Sequence, residues 1–321
     1  MTINLGEINE YHSRHNLYFQ NFLRNYEDRT TAQDETWTAY TNVKVLNDQN
    51  LPTCCSQPRL ASIISSLPNL RSVSVTLMTC PFTRQHPDFL NEIWKIPSTR
   101  RLPRAATIER FTAILSSTSS QPLQKLSHDR LPFEFFAQRP TLITTFSNAF
   151  RSLTSLSLAL DYGDNSTSLH TTSAFENLST CLRNTIELRS FSLSMLGRRK
   201  IPISDLITTL HTHNFSFPCL HTLKLEGVSC TQRELCTFLV SQKCLKTIQL
   251  GGEGLRNKHQ PVNGGVHLLE GSFIEVFRTV KGGMDLERFD VMGDLKSLEY
   301  GELWVLDELV SVNDIGEYVT D

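Results

Sequence analysis

The phrase L-x-x-L-x-L occurs twice between Phe217 and Gly252, as Leu220-Leu223-Leu225 and Leu245-Ile248-Leu250. Its last two apolar positions stand two residues apart, the period of a strand with one buried face. Leu223 and Leu225 therefore share one side, and Thr222, Lys224 and Glu226 take the other. Burial of three such side chains is worth roughly 5 to 9 kcal/mol, at about 1.5 to 3 kcal/mol each. A slip of one residue would turn the apolar pair to solvent, so a firm register is expected. Between the two copies, Thr231-Gln232-Arg233-Glu234 has the form of a capping box, in which hydroxyl and carboxylate satisfy reciprocal backbone donors. Leu235, Phe238 and Leu239 follow at i, i+3 and i+4, one helical face. Strand, helix and matching strand cannot cover their apolar sides alone. Such a unit is completed by stacking on its neighbours.

Degenerate copies run along most of the chain: Leu70-Val73-Val75, Leu153-Leu156-Leu158, Leu188-Phe191-Leu193 and Leu286-Phe289-Val291. Leu60, Ile63 and Ile64 lie on a short helix ahead of the first. Leu123-Leu126 is a further copy with His128 in its third place. Ser173 with Glu176 and Ser272 with Glu275 repeat the capping-box pattern. The three caps stand at nearly equal distances before Leu188, Leu245 and Leu286, whereas the interval from a strand to the next cap varies widely. A constant helix-to-strand half and an elastic strand-to-helix half place the insertions on one rim. The expected fold is α/β: an irregular leucine-rich-repeat solenoid over residues 56–321, with a curved parallel sheet inside and helices outside.

Residues 1–55 lack the repeat and read as a helical N-terminal cap, as the open end of a stack requires. Ile8, Tyr11, Leu17, Tyr18 and Phe22 suggest a helix over Glu7–Glu27, and Trp37, Tyr40 and Val43 a second over Asp34–Leu46. Pro81 to Arg104 reads as an inserted loop rich in proline and arginine, with one helix near Trp94 and another over Thr107–Leu115. Beyond Val291 the chain turns acidic. Leu303-Trp304-Val305-Leu306 form a last strand or short helix inside a C-terminal cap with a solvated outer face.

A formal net charge of −2 gives no long-range attraction toward nucleic acid or an anionic membrane, so neither is expected as a partner. The opening MTINLGEINE lacks the basic start and apolar core of a secretory signal, and no apolar run reaches the length of a membrane span. Eight cysteines are then read as reduced thiols of an intracellular protein, cytoplasmic or nuclear. Cys236 and Cys244 are expected to pack as small apolar residues.

Motifs for chemistry are weak. His211, His213, Cys219 and His221 cluster in sequence, but the two histidines point to nearly opposite sides of a helix and no Cys-x-x-Cys supports zinc. Cys54-Cys55 has no partner pattern. Gly251-Gly252-Glu253-Gly254 follows a strand yet lacks both phosphate-loop frames; with Gly264-Gly265 it reads as bounding a flexible rim loop, Gly251–Gly271. No nucleophile elbow is present. No catalytic residue, cofactor site or metal site is therefore assigned. The positions alternating with the buried leucines line the concave face of such a fold, and those in its second half are the candidate partner-binding residues: Thr222, Lys224, Glu226, Thr247, Gln249, Arg288 and Asp290. In the first half the same positions are small hydroxyls such as Ser155, Ser157, Ser190 and Ser192. A plain solvated sheet face is the competing reading.

The stretches Leu67–Val75 (LPNLRSVSV), Ser152–Leu160 (SLTSLSLAL), Phe217–Cys230 (FPCLHTLKLEGVSC) and Cys244–Gly252 (CLKTIQLGG) resemble the repeat region of fungal F-box leucine-rich-repeat proteins, over roughly residues 56–300. That resemblance implies a substrate receptor of a cullin-type ubiquitin ligase, whose F-box holds a Skp-type adaptor while the repeats hold the target. The F-box, expected upstream and opening with L-P-x-E, is not found. Leu131-Pro132-Phe133-Glu134 matches its opening but lies among the repeats, and is read as coincidence. The chain is then either cut short at its start or a repeat-only adaptor unrelated to ubiquitin. A non-catalytic protein-interaction scaffold is the leading expectation, with a Skp-type adaptor only where an upstream F-box exists. An enzyme with its site in the rim loops is the alternative.

Overall fold

Leu158, Leu193, Leu225 and Leu250 stand side by side on four adjacent parallel strands, and Val291 continues the row on a fifth. The computed structural model describes residues 1–9, 13, 29–54, 56–82, 88–95, 100–118, 122–163, 168–197, 199–254 and 264–315. Its strands are β1 (Thr2–Asn4), β2 (Glu7–Ile8), β3 (Ser72–Thr76), β4 (Arg100–Arg101), β5 (Lys125–Pro132), β6 (Ser155–Asp161) and β7 (Ser190–Leu196). They continue with β8 (Ile201–Pro202), β9 (Thr222–Glu226), β10 (Val228–Cys230), β11 (Thr247–Leu250), β12 (His267–Leu268), β13 (Arg288–Ser297) and β14 (Leu303–Ser311). The architecture is α/β with a large sheet of twelve strands, nearly all parallel.

Contacts divide the chain into two units, the larger taking Met1, Asn69–Ser74 and Thr118–Asp321, the smaller Thr2–Pro68 and Val75–Ser117. Along the sheet the strands run β3-β5-β6-β7-β9-β11-β13, each expected triplet supplying one. Leu126, Leu156, Phe191, Leu223 and Ile248 are at most 2 % exposed, so alternation buries one face as the period-2 pattern requires. A second parallel run, β8-β10-β12, joins the same sheet at the far half of β13, where His267 and Leu268 pair with Lys296 and Ser297. β14 then lies antiparallel on β13.

The Thr231 capping box forms as expected: Glu234 N–H donates to Thr231 Oγ1 at 3.2 Å and Thr231 N–H to Glu234 Oε2 at 2.8 Å. Leu235, Phe238 and Leu239 of the helix Gln232–Ser241 are buried. Thr231→Ala is expected to cost about 1 kcal/mol in denaturant unfolding.

The other two boxes differ from expectation. Ser173 lies inside the helix Ser168–Arg183 rather than at its start, because an S-x-x-E pattern carries no signal against helix that begins upstream. Ser272 does cap the helix Phe273–Gly283, its Oγ accepting from Ile274 N–H at 3.1 Å, but Glu275 is not the reciprocal carboxylate. Glu302 takes that place, accepting from Ser272 Oγ at 2.6 Å and Phe273 N–H at 2.8 Å, while Glu275 pairs with Arg278.

The smaller unit has its own aromatic core of Trp37, Tyr40, Phe82 and Trp94 in edge-to-face contacts, closed by Ile8, Leu90 and Ile93. Tyr40 Oη donates to the Ile8 carbonyl at 2.6 Å. The helix expected over Asp34–Leu46 is the middle of Arg29–Cys54. Those expected near Trp94 and over Thr107–Leu115 are Asp88–Trp94 and Arg104–Thr118. A helix does not start at Glu7: Glu7 and Ile8 form a two-residue strand against Arg100 and Arg101, since pairing with a distant segment overrides local periodicity. Tyr11, Leu17, Tyr18 and Phe22 lie outside the described residues, as does Cys55; the side chain of Cys54 is likewise undescribed.

Candidate functional site

Alternation puts Thr222, Lys224 and Glu226 on the face of β9 opposite Leu223 and Leu225, and the parallel register extends this to its neighbours. Thr222, Thr247 and Arg288 form one row across β9, β11 and β13; Lys224, Gln249 and Asp290 form the next. Six of the seven candidate residues thus meet in two rows. The rows continue into the hydroxyl half of the sheet, through Ser190 and Ser192 on β7 and Ser155 and Ser157 on β6.

Charges on this face are paired along each strand. Lys224 Nζ lies 2.9 Å from Glu226 Oε2, and the Arg288 guanidinium pairs with Asp290. In each pair the acid is the buried member, with side-chain exposures of 8 % for Glu226 and 7 % for Asp290 against 31 % and 59 % for the cations. A carboxylate taken out of water costs several kcal/mol unless compensated, so each acid holds its cation in place over it. Gln249 Nε2 donates to the Gly251 carbonyl at 3.0 Å. The result is a polar, pre-oriented face on which Thr222 and Arg288 are exposed and Lys224, Thr247 and Gln249 half-buried.

Glu226 is drawn away from the two rows by its other bonds. Ser194 Oγ donates to its Oε2 at 2.9 Å and Gly254 N–H to its Oε1 at 2.7 Å. It anchors the turn after β11 as well as Lys224.

Sequence reasoning misses a second anchor, Asp294 on β13. Its Oδ1 accepts from Lys200 Nζ at 2.8 Å and Gly265 N–H at 2.9 Å, and its Oδ2 lies 2.9 Å from His267 Nε2. Burial alone would raise this carboxyl. Hydrogen bonds from His267, Lys200 and Gly265, with the attraction of Lys200, outweigh it and hold the group well below the usual carboxylate range. The stability it contributes is present above the ordinary aspartate value and is lost as pH falls through the lower folded one. In sequence Asp294 is one acid of an acidic stretch, and Lys200 lies 94 residues away. Only the paired glycines nearby carry a trace of it.

Those glycines correct another expectation. Gly251, Gly252, Gly264 and Gly265 are buried rather than set in a flexible rim. A Cβ on Gly265 would lie 2.1 Å from the Asp294 carbonyl oxygen, and one on Gly264 2.4 Å from that of Gly252. They are glycine because backbones touch there. Residues 255–263 between them lie outside the described residues.

The remaining candidates stay apart. His211 and His213 are exposed at the end of the helix Ser204–Thr212, and His221 Nδ1 contacts the Cys219 carbonyl at 2.5 Å. Among the described residues no three His, Cys, Asp or Glu side chains gather as a metal site. Cys236 and Cys244 are half-buried thiols, and burial pushes Cys236 up. Among the described residues no helix is long and apolar enough to cross a membrane. Comparison with family models, with curated proteins and with solved structures gives no match.

Proposed function

We propose that the chain is a non-catalytic protein-interaction scaffold built as a leucine-rich-repeat solenoid, and that it holds a protein partner on the rows Thr222-Thr247-Arg288 and Lys224-Gln249-Asp290. The observation that carries this reading is that on β9 and again on β13 a buried acid holds a more exposed cation two residues away, Glu226 with Lys224 and Asp290 with Arg288, which orients polar groups before any partner arrives. The two anchoring carboxylates support a binder over an enzyme. Glu226 and Asp294 are each engaged by three internal donors, which commits both to holding the fold together. Within the F-box resemblance, the scaffold is the substrate-reading part of a ubiquitin ligase receptor.

The test compares the chain with a Thr222→Arg, Thr247→Arg double variant, which places bulk on the rows and leaves the ion pairs intact. Partners captured by the wild type are purified and their affinities measured against both. The variant is expected to bind at least about tenfold more weakly, since truncating or blocking the centre of an interface costs above about 1.4 kcal/mol. The two new arginines stand opposite each other and beside Arg288 in one row, so folding stability is expected to fall by about 0.5 to 2 kcal/mol, read separately by denaturant unfolding. Equal affinity for both proteins overturns the assignment of the surface. A purified Skp-type adaptor is expected not to bind this chain directly, and a stable complex with it would overturn the reading that these residues hold no F-box.

A further inference from the structure

We propose that β14 is an open docking edge that takes up an extended segment of a partner protein in which apolar and basic residues alternate. The inference stands apart from the polar rows, because it rests on different atoms.

The first observation is an unused backbone edge. Ser297 N–H donates to the Glu302 carbonyl at 2.9 Å, whereas Lys296 N–H turns the other way, to the Val266 carbonyl at 3.2 Å. Leu295 pairs with Trp304, Lys296 with Leu303 and Asp294 with Val305. Antiparallel pairs alternate between those that exchange bonds and those that do not. Leu303 and Val305 are therefore in non-exchanging pairs, and their N–H and C=O groups point away from β13. Among the described residues no strand covers that side of β14. An uncovered strand of nine residues is a template for pairing with another chain.

The second observation is the side chains on the same strand. Trp304 turns inward and stacks on Phe277 of the helix Phe273–Gly283. The alternate positions turn outward: Leu303 is 58 % exposed, Val305 52 % and Leu309 42 %, with Leu298 and Tyr300 of the preceding turn also exposed. Apolar residues grouped on an open strand mark an interaction site more often than scattered ones do.

Charge selects the occupant. From Ser297 to Asp321 the chain has seven carboxylates, Glu299, Glu302, Asp307, Glu308, Asp314, Glu317 and Asp321, and no Lys or Arg. Asp307 and Glu308 are exposed on β14 itself. A second copy paired edge to edge would bring these acids together, and like charges opposed across strands are destabilising. A segment with Lys or Arg between its apolar residues matches both features. Main-chain bonds supply affinity and alternate side chains supply specificity.

The test uses the full chain and a labelled nine-residue peptide of alternating Lys and Val, the length of β14. A Glu–Val peptide is the control, with fluorescence anisotropy as readout. The Lys–Val peptide is expected to bind, more weakly as salt rises, and the Glu–Val peptide not to bind. Val305→Pro removes an N–H that the β13 ladder does not use, so it is expected to fold and to bind at least about tenfold more weakly. Should that variant fail to fold, Val305→Lys with Leu309→Lys gives the same readout by repulsion. Thr222→Arg with Thr247→Arg is expected to leave this binding unchanged, which separates it from the scaffold surface. Absence of binding to the full chain, equal binding of both peptides, or retention of affinity by the β14 variants overturns the proposal. So does a concentration-dependent dimer that Val305→Pro dissolves, which would assign the edge to a second copy.

Discussion

Replacing His128 with leucine is expected to make the loss of folding stability between neutral pH and pH 4 smaller by about 3 kcal/mol than in the parent. His128 occupies the leucine place of its rung, opposite Leu158, and is 1 % exposed. Burial lowers its pKa from 6.5 to about 3, so the folded protein keeps the ring neutral. Its Nδ1 accepts from Arg130 N–H at 3.2 Å, which places the ring proton on Nε2. The unfolded chain binds a proton below about pH 6.5 and the folded chain does not until about pH 3. Folding stability therefore falls as pH drops through this window, by about 1.4 kcal/mol per unit. Leucine has no such linkage. Asp294 remains in both proteins and loses its contribution only below the ordinary aspartate range, so the interval from pH 6.5 to 4 isolates the histidine. The measurement is denaturant unfolding across that interval, and parallel pH profiles for the two proteins would refute the account. Loss of the Nδ1 acceptor sets the cost of the variant at neutral pH, about 1 kcal/mol.

Gly251→Ala is expected to destabilise by about 2 to 5 kcal/mol, from about 1 to 2 for the backbone conformation and about 1 to 3 for overpacking. Gly251 has φ +90° at the end of β11, and an added Cβ would lie 1.8 Å from the Met292 carbonyl oxygen. That oxygen belongs to β13 where its register on β14 shifts between Val291 and Gly293, so it cannot withdraw without disturbing the ladder. Gly282 is the control: nothing lies within 4 Å of its added Cβ, so Gly282→Ala in the helix Phe273–Gly283 is expected to be neutral or slightly stabilising. Thermal or denaturant unfolding of both variants decides. A Gly251→Ala midpoint equal to the parent's would show that the strands around Met292 have room to part.

The parallel ladder was legible because it depends on nearest neighbours along the chain. Leu223 and Leu225 are two residues apart whatever stands beside them, and a period of two in a half-buried strand leaves one register. The same holds for the Thr231 cap, whose donor and acceptor lie three residues apart. It fails where identical letters occur inside a helix already under way, as at Ser173. The two candidate rows were legible too, since they are the complement of the leucines.

The run β8-β10-β12 has no comparable signature, because strands as short as Ile201–Pro202 and His267–Leu268 show no period. Its place in the sheet comes from pairing across the chain, and with it come the burial of Gly264 and Gly265 and the meeting of Lys200, His267 and Asp294. Glu302 reaches the Ser272 cap from 30 residues away for the same reason. Patterns of side-chain polarity dictate which face of each strand and helix is buried, since that free energy is local to the segment. Which carboxylate meets which donor depends on distances between remote segments, and those exist only once the chain has closed on itself.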